Sequence, residues 1–195
     1  MGDPGAGGDP PTSWDGERYQ RRFDALARSG TDVHGEAEFV ARLGPGSVLD
    51  AGCGTGRVAR ELARRGIATV GIDWDGSMIT TARRLGPELE WVEDDVARVD
   101  LGRRFDVVVM AGNVPLFTPD AERAALVAGC ARHLAPGGSL VAGFQLGRGY
   151  PLDRYDEHCL RAGLEVTDRY ATWSGRPFAP GGDYAVSVHA WADRS

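Results

Sequence analysis

The chain of 195 residues has no lysine, only three cysteines, and no apolar run that approaches the roughly 20 residues a membrane-spanning helix needs. The missing apolar run excludes a spanning helix. With no lysine, all 22 basic side chains are arginines. That uniformity reads as genomic base composition rather than as a device for gripping phosphate. Cys53, Cys130 and Cys159 are far apart in sequence. No pair has metal-ligand spacing, and an odd number makes a poor disulfide framework. They read as small buried apolar residues in a reducing cytoplasm. No cluster of His, Asp and Glu has ligand spacing on one element, so no metal is expected. An excess of positive charge is also missing: the net charge is −6. Binding to nucleic acid usually calls for a basic face, which argues against a nucleic-acid partner.

What is present is an ordinary globular balance, 42% apolar and 26% charged. The segment Met1 to Thr12 is Gly, Pro and Asp with almost nothing to bury. It is expected to be a disordered tail and not a secretory signal. Residues 13–195 are expected to form one domain, with 13–46 as a helical cover. Tyr19, Phe23 and Leu26 recur at helical spacing between Ser13 and Arg28, with Ser13 or Asp15 as cap. A short second helix is expected over Glu36 to Leu43, ended by Gly44-Pro45-Gly46. After that, short apolar runs alternate with helical stretches. Strands are expected at Ser47 to Ala51, Ile67 to Ile72, Leu89 to Val92, Phe105 to Ala111 and Leu140 to Phe144. Helices are expected near Thr55 to Arg65, Gly76 to Leu85, Ala121 to Leu134 and Leu152 to Ala162. Leu164 to Trp173 and Tyr184 to Trp191 read as two last strands with no helix between them, hence an antiparallel hairpin at one edge. The run Val107-Val108-Val109-Met110 is apolar on both faces and must be covered on both. The alternation implies an α/β fold with a mainly parallel sheet of seven strands and helices on both faces.

The strongest local signal is Asp50-Ala51-Gly52-Cys53-Gly54-Thr55-Gly56-Arg57. A buried strand ends in three glycines at alternate positions, and a helix begins at once. Glycine allows positive φ and close approach of a ligand to the backbone. A dinucleotide site would want G-x-G-x-x-G. From Gly52 and Gly54 the third glycine would fall on Arg57, and from Gly54 and Gly56 on Ala59, so that pattern fails in both registers. The next strand ends at Asp73, where a carboxylate can accept two vicinal hydroxyls.

The D-x-G-x-G-x-G turn resembles motif I of the class I methyltransferases that use S-adenosylmethionine (SAM). Trp91-Val92-Glu93-Asp94-Asp95-Val96 resembles the third motif of that superfamily. Phe105 to Ala111 resembles the fourth, and Leu134 to Leu140 the turn before strand five. The likeness runs in register from Val48 to Phe144, and the overall pattern is similar to small bacterial, actinobacterial-like methyltransferases. It implies a Rossmann-like fold, SAM as methyl donor and S-adenosylhomocysteine (SAH) as product. It also implies that Asp50, Gly52, Gly54 and Gly56 hold the amino-acid end, and that Asp73 holds the ribose. Trp74 and Met78 would flank the adenine, Asp95 with the Val96 backbone would read its edge, and Ala111 would also contact the cofactor. Asp94, one residue away, stays open as the adenine reader. Tyr19, with Arg21 and Arg22, belongs to a first helix that would close over SAM as a mobile lid or simply pack there.

Methyl transfer from a sulfonium needs positioning and exclusion of water more than acid–base chemistry. The acceptor is expected beyond the carboxyl ends of the first, fourth and fifth strands. Asn113, Phe117, Gln145, Tyr150 and Tyr184 point there by topology. Asn113-Val114-Pro115-Leu116 departs from the Asn/Asp-Pro-Pro-aromatic signature of amino-methylating enzymes of nucleic acids, so base methylation is not supported. The catalytic base is unknown, and His34 is the one candidate. His133 and His158 read as surface residues and His189 as structural. The expected function is methylation of a small-molecule acceptor by a cytoplasmic monomer or homodimer. A non-catalytic SAM-binding regulator or partner subunit, or an RNA or protein methyltransferase, are the alternatives.

Overall fold

A computed structural model describes residues 15–30 and 32–192. The tail Met1 to Thr12 and the Ser13 cap lie outside the described residues. The elements run α1 (Gly16–Arg28), α2 (Gly35–Arg42), β1 (Ser47–Ala51), α3 (Arg57–Arg64), β2 (Ala68–Asp73), α4 (Gly76–Leu85) and β3 (Glu90–Glu93). There follow β4 (Phe105–Met110), α5 (Val114–Phe117), a 3-10 turn (Asp120–Glu122), α6 (Arg123–Arg132), β5 (Leu134–Gln145), α7 (Leu152–Arg161), β6 (Leu164–Tyr170) and β7 (Tyr184–Trp191). The strands form one sheet in the order β3-β2-β1-β4-β5-β7-β6. The first five are parallel neighbours, and β7 pairs antiparallel with both β5 and β6. This is the Rossmann-like sheet with an antiparallel end. The last strand in the chain is inserted between β5 and β6, so β6 is the edge.

Side chains alternate across the sheet, and both faces are covered. Leu49, Val108 and Met110 face one cluster with Leu126, Cys130 and Tyr155 from α6 and α7. Val48, Val107 and Val109 face another with Phe39, Val58 and Leu62 from α2 and α3. That is why the β4 run is apolar throughout. The three cysteines are buried and free. No described helix is long and apolar enough to cross a membrane.

Three differences from the sequence reading have physical causes. β5 begins at Leu134, earlier than expected, because Leu134 pairs with Phe105 before the register shifts to Val107 and Ser139. α5 was not expected; only four residues long, it has no period to read. His133 and His158 are not at the surface, being 0% and 7% exposed. His133 closes α6: Nε2 accepts from the Leu101 N–H, which leaves Nδ1 to donate to the Gly129 carbonyl, 2.7 Å away. His158 Nδ1 lies 2.7 Å from the Tyr150 hydroxyl in the core.

Helix α6 sits close to the chain after β3, and Gly129 makes that approach possible. A Cβ there would stand 2.1 Å from the Val96 carbonyl oxygen. Alanine is the better helix former by about 1 kcal/mol. Overpacking against backbone costs about 1–3 kcal/mol or more and wins here. Gly129→Ala is therefore expected to lower the denaturation midpoint in urea; an unchanged or higher midpoint would show that α6 is free to shift.

Candidate functional site

The strand order reverses between β1 and β4, so the connections leave to opposite faces and open a crevice at the carboxyl ends of the strands. Two cavities lie there, of about 560 Å³ and about 30 Å³. Tyr19, Gly52, Gly54, Ala111 and Gly112 line both. Asp73, Trp74, Met78, Asp94, Asp95, Val96 and Phe117 line the larger; Asp50, Thr55 and Arg57 line the smaller.

Asp50 is 1% exposed, and its Oδ2 accepts from the Ala59 N–H at 3.1 Å. Burial pushes its carboxyl up to about 7, against the opposing pull of Arg57 and the Ala59 hydrogen bond. Asp73 is held from both sides. Its Oδ2 accepts from the Gly54 N–H at 2.8 Å and its Oδ1 from the Asp75 N–H at 3.0 Å. Burial raises this carboxyl too, with those backbone bonds in opposition. Trp74 is 59% exposed at the cavity mouth, whereas Met78 is buried in the wall. Asp95 accepts from the Ala97 N–H at 2.9 Å and pairs with Arg98 at 3.3 Å. Asp94 accepts from the Asp95 N–H and is exposed.

The glycines divide the work. A Cβ on Gly52 would meet Val114 at 2.6 Å, and one on Gly54 would lie 3.6 Å from the Tyr19 ring. Gly56 lines neither cavity. Its φ is +78°, and a Cβ would stand 2.2 Å from the Trp91 ring, so it serves packing rather than ligand contact.

The acceptor candidates are mostly not at the cavities; Phe117 alone among them lines one. Tyr150 is 1% exposed, stacks on Phe144, lies under the Arg123 guanidinium and bonds His158; it is a core residue. The turn after β5 drives it inward. Asn113 has a φ of +67° and its Oδ1 accepts from the Gln145 N–H at 2.8 Å. Both residues tie the loop after β4 to the end of β5. The Tyr184 hydroxyl accepts from Trp173 Nε1 at 2.9 Å. His34 precedes α2, half-exposed, 4.0 Å from Glu61, and faces neither cavity; its N–H is used by Asp32. It has no place as a base there. Arg21 and Arg22 are exposed on α1 and line neither cavity.

Arg57 is the residue the sequence reading missed. It counted only as the absent third glycine of a dinucleotide pattern, yet it lies in the small cavity's wall. It is mostly buried, bonded to Glu36 at 2.6 and 2.9 Å and to the Val33 carbonyl, over the Phe23 ring. A charged residue directly after the glycine turn was the available signal. Val114, Pro119, Glu122 and Leu126 also line the large cavity. They come from α5, the 3-10 turn and its approach, and the start of α6; the α6 helix was expected, but no local pattern revealed the path of α5.

A TehB-like SAM-dependent methyltransferase from Corynebacterium glutamicum has a solved structure that superposes with a TM-score of 0.86 at 34% identity, covering 91% of this chain and 98% of that one. The chain belongs to the class I SAM-dependent methyltransferases. The methyltransferase domain family matches residues 48–138 of it. Two methyltransferases with described acceptors are also similar. The cypemycin N-terminal methyltransferase of a Streptomyces species is 38% identical over 96 residues, 48% of this chain and 39% of that one. The dTDP-3-amino-3,4,6-trideoxy-alpha-D-glucopyranose N,N-dimethyltransferase of Streptomyces venezuelae is 34% identical over 119 residues, 57% of this chain and 50% of that one. The chain spans half or less of these two curated relatives.

In this methyltransferase the burial of Asp50 has a pH signature. Its pKa is near 3.8 when unfolded and about 7 when folded. A raised carboxyl contributes stability that is complete below the unfolded value and is lost as pH rises to the folded one. Asp50→Asn keeps an acceptor for the Ala59 N–H but cannot ionise. The stability of the parent relative to Asp50→Asn is therefore expected to fall between pH 4 and 7 and to level above, in urea unfolding at stepped pH. A flat difference would place the Asp50 carboxyl in contact with solvent.

Proposed function

We propose that the protein binds SAM across the two cavities and transfers its methyl group to a small-molecule acceptor. The observation that carries this reading is Asp73. Its carboxylate is fixed in place by backbone N–H groups at the wall of a cavity large enough for a nucleoside. The donor set fits the cofactor throughout. Asp73 would take the ribose hydroxyls, Met78 and Trp74 the faces of the adenine, and Asp95 or Asp94 its amino group. Asp95 is favoured because the Ala97 N–H holds it and it is less exposed. Asp50 matches an ammonium and Arg57 a carboxylate at the small cavity. Tyr19, Gly52 and Gly54 would lie along the middle.

When bound, SAM supplies a methyl group already activated on a sulfonium. The residues around it have to orient the acceptor and keep water away. Asn113 and Gln145 act by holding the loops after β4 and β5 together, and Phe117 by covering the mouth. The net charge of −6 favours a small molecule over a nucleic acid. The names of the two curated relatives describe methylation at amino groups, which makes amines the first acceptors to try. A SAM-binding protein without transfer is the second reading, and the transfer assay separates the two.

SAM and SAH are expected to raise the melting temperature by linkage. Asp73→Ala is expected to weaken SAH by about 2 kcal/mol in calorimetry, through the loss of two charge-assisted hydrogen bonds. NADH should give no heat. Unchanged affinity in Asp73→Ala would remove the ribose assignment. Incubation with methyl-labelled SAM and metabolite pools rich in amines should give a labelled small product. Label found only in protein or RNA would overturn the acceptor class, and SAH binding with no product from any pool would favour the second reading.

A further inference from the structure

The two cavities share five wall residues, and four of them are glycine or alanine, with nothing long enough to divide a space. The fifth is Tyr19. Its ring lies over the glycine turn, 3.6 Å from where a Gly54 Cβ would be. Tyr19 lines both the large cavity, with Asp73, and the small one, with Asp50 and Arg57. A molecule with a nucleoside at one end and an amino acid at the other has to occupy both. We propose that the Tyr19 ring is a gate between the nucleoside and amino-acid halves of the site, which swings aside when a ligand spans them. The proposal rests on the cofactor reading above and adds a kinetic device to it.

The helix that carries Tyr19 is held on both sides of it. The missing Cβ of Gly16 lets α1 approach α4 so closely that a methyl there would stand 2.5 Å from the Ser77 carbonyl oxygen. Glu17 pairs with Arg84 at 2.7 Å, and the Thr55 hydroxyl donates to Gln20 Oε1 at 2.7 Å among buried atoms. The moving part is therefore the side chain, not the whole helix as a lid. The ring has somewhere to respond to. It packs on Phe23, with centroids 5.0 Å apart, and Phe23 lies under the Arg57 guanidinium at 4.8 Å. A carboxylate that reaches Arg57 meets a guanidinium already engaged by Glu36. Any shift it causes passes through Phe23 to the Tyr19 ring.

The gate predicts a difference between ligands that span the site and those that do not. 5′-Methylthioadenosine fits the nucleoside half with the ring in place, whereas SAH needs the ring displaced. If the open state is a minor population, SAH should associate about tenfold more slowly than methylthioadenosine. Stopped-flow tryptophan fluorescence can read both, since Trp74 lies in the large cavity's wall. Tyr19→Ala should raise the SAH association rate about tenfold and leave methylthioadenosine within about twofold. Tyr19→Phe keeps the ring and should keep the slower association of SAH relative to methylthioadenosine, whatever it does to the affinity of either. Equal association of the two ligands in the parent, or the same ratio in Tyr19→Ala, overturns the gate and leaves the cofactor reading standing. Failure of both ligands to bind the parent overturns the cofactor reading and the gate with it. Because the parent and Tyr19→Phe carry the comparison between ligands, poor folding of Tyr19→Ala does not remove the test.

Discussion

Much of the site depends on bare backbone at the turn between β1 and α3. Three side chains from distant parts of the chain press on it: Val114 at Gly52, Tyr19 at Gly54 and Trp91 at Gly56. They come from α5, from the first helix and from β3. At Gly52 and Gly56 the contact leaves no room for a Cβ, whereas at Gly54 a Cβ would sit at an ordinary 3.6 Å and the positive φ of +55° is what favours glycine, so the three are not interchangeable. Gly52 and Gly54 face the cavities, and Gly56 lets the Trp91 ring close the space between β3 and α3. The turn is thus both the floor of the site and the point where the sheet, the cover and the β4 loop are brought into register.

Charge is distributed around that turn in an uneven way. Arg57 enters with its partners already in place: both Glu36 oxygens, the Val33 carbonyl and an aromatic face. Asp50 and Asp73 are held by backbone N–H groups, and burial raises both carboxyls. Two acids that resist ionisation gain most from a ligand that brings hydroxyl donors or a positive charge. A dinucleotide pyrophosphate would bring the opposite. The electrostatics therefore agree with the failure of the G-x-G-x-x-G pattern and with the family.

How far the sequence could be read depended on whether the signal was local. Strand and helix alternation, the glycine turn and the acid at the end of β2 are local, and the sheet follows them closely. Asn113 and Tyr150 show the limit. Both follow strands whose ends face the crevice, so topology pointed each toward an acceptor. Asn113 instead spends its carbonyl oxygen on the Gln145 N–H, and Tyr150 turns into the core against Phe144 and His158. Polar side chains in that region are satisfied by partners 8 to 32 positions away, which no spacing rule announces. The first helix shows the same. Its apolar stripe reads as thin, and Leu26 is indeed exposed. What holds the helix is polar: Gln20 on Thr55, Glu17 on Arg84 and the close approach at Gly16.

By itself the sequence determined the order of the strands and longer helices, the parallel core of the sheet, the covered faces of β4 and the positions of the glycine turn and Asp73. These follow from periodicity, turn chemistry and the right-handed crossover, all of which act over a few residues or one βαβ unit. Only the tertiary structure decided that Arg57 lines the small cavity, that Gly56 and His34 line neither and that Tyr19 lines both. Each of those depends on how separate elements meet, and a meeting between α1 and α3 leaves no trace in the spacing of either.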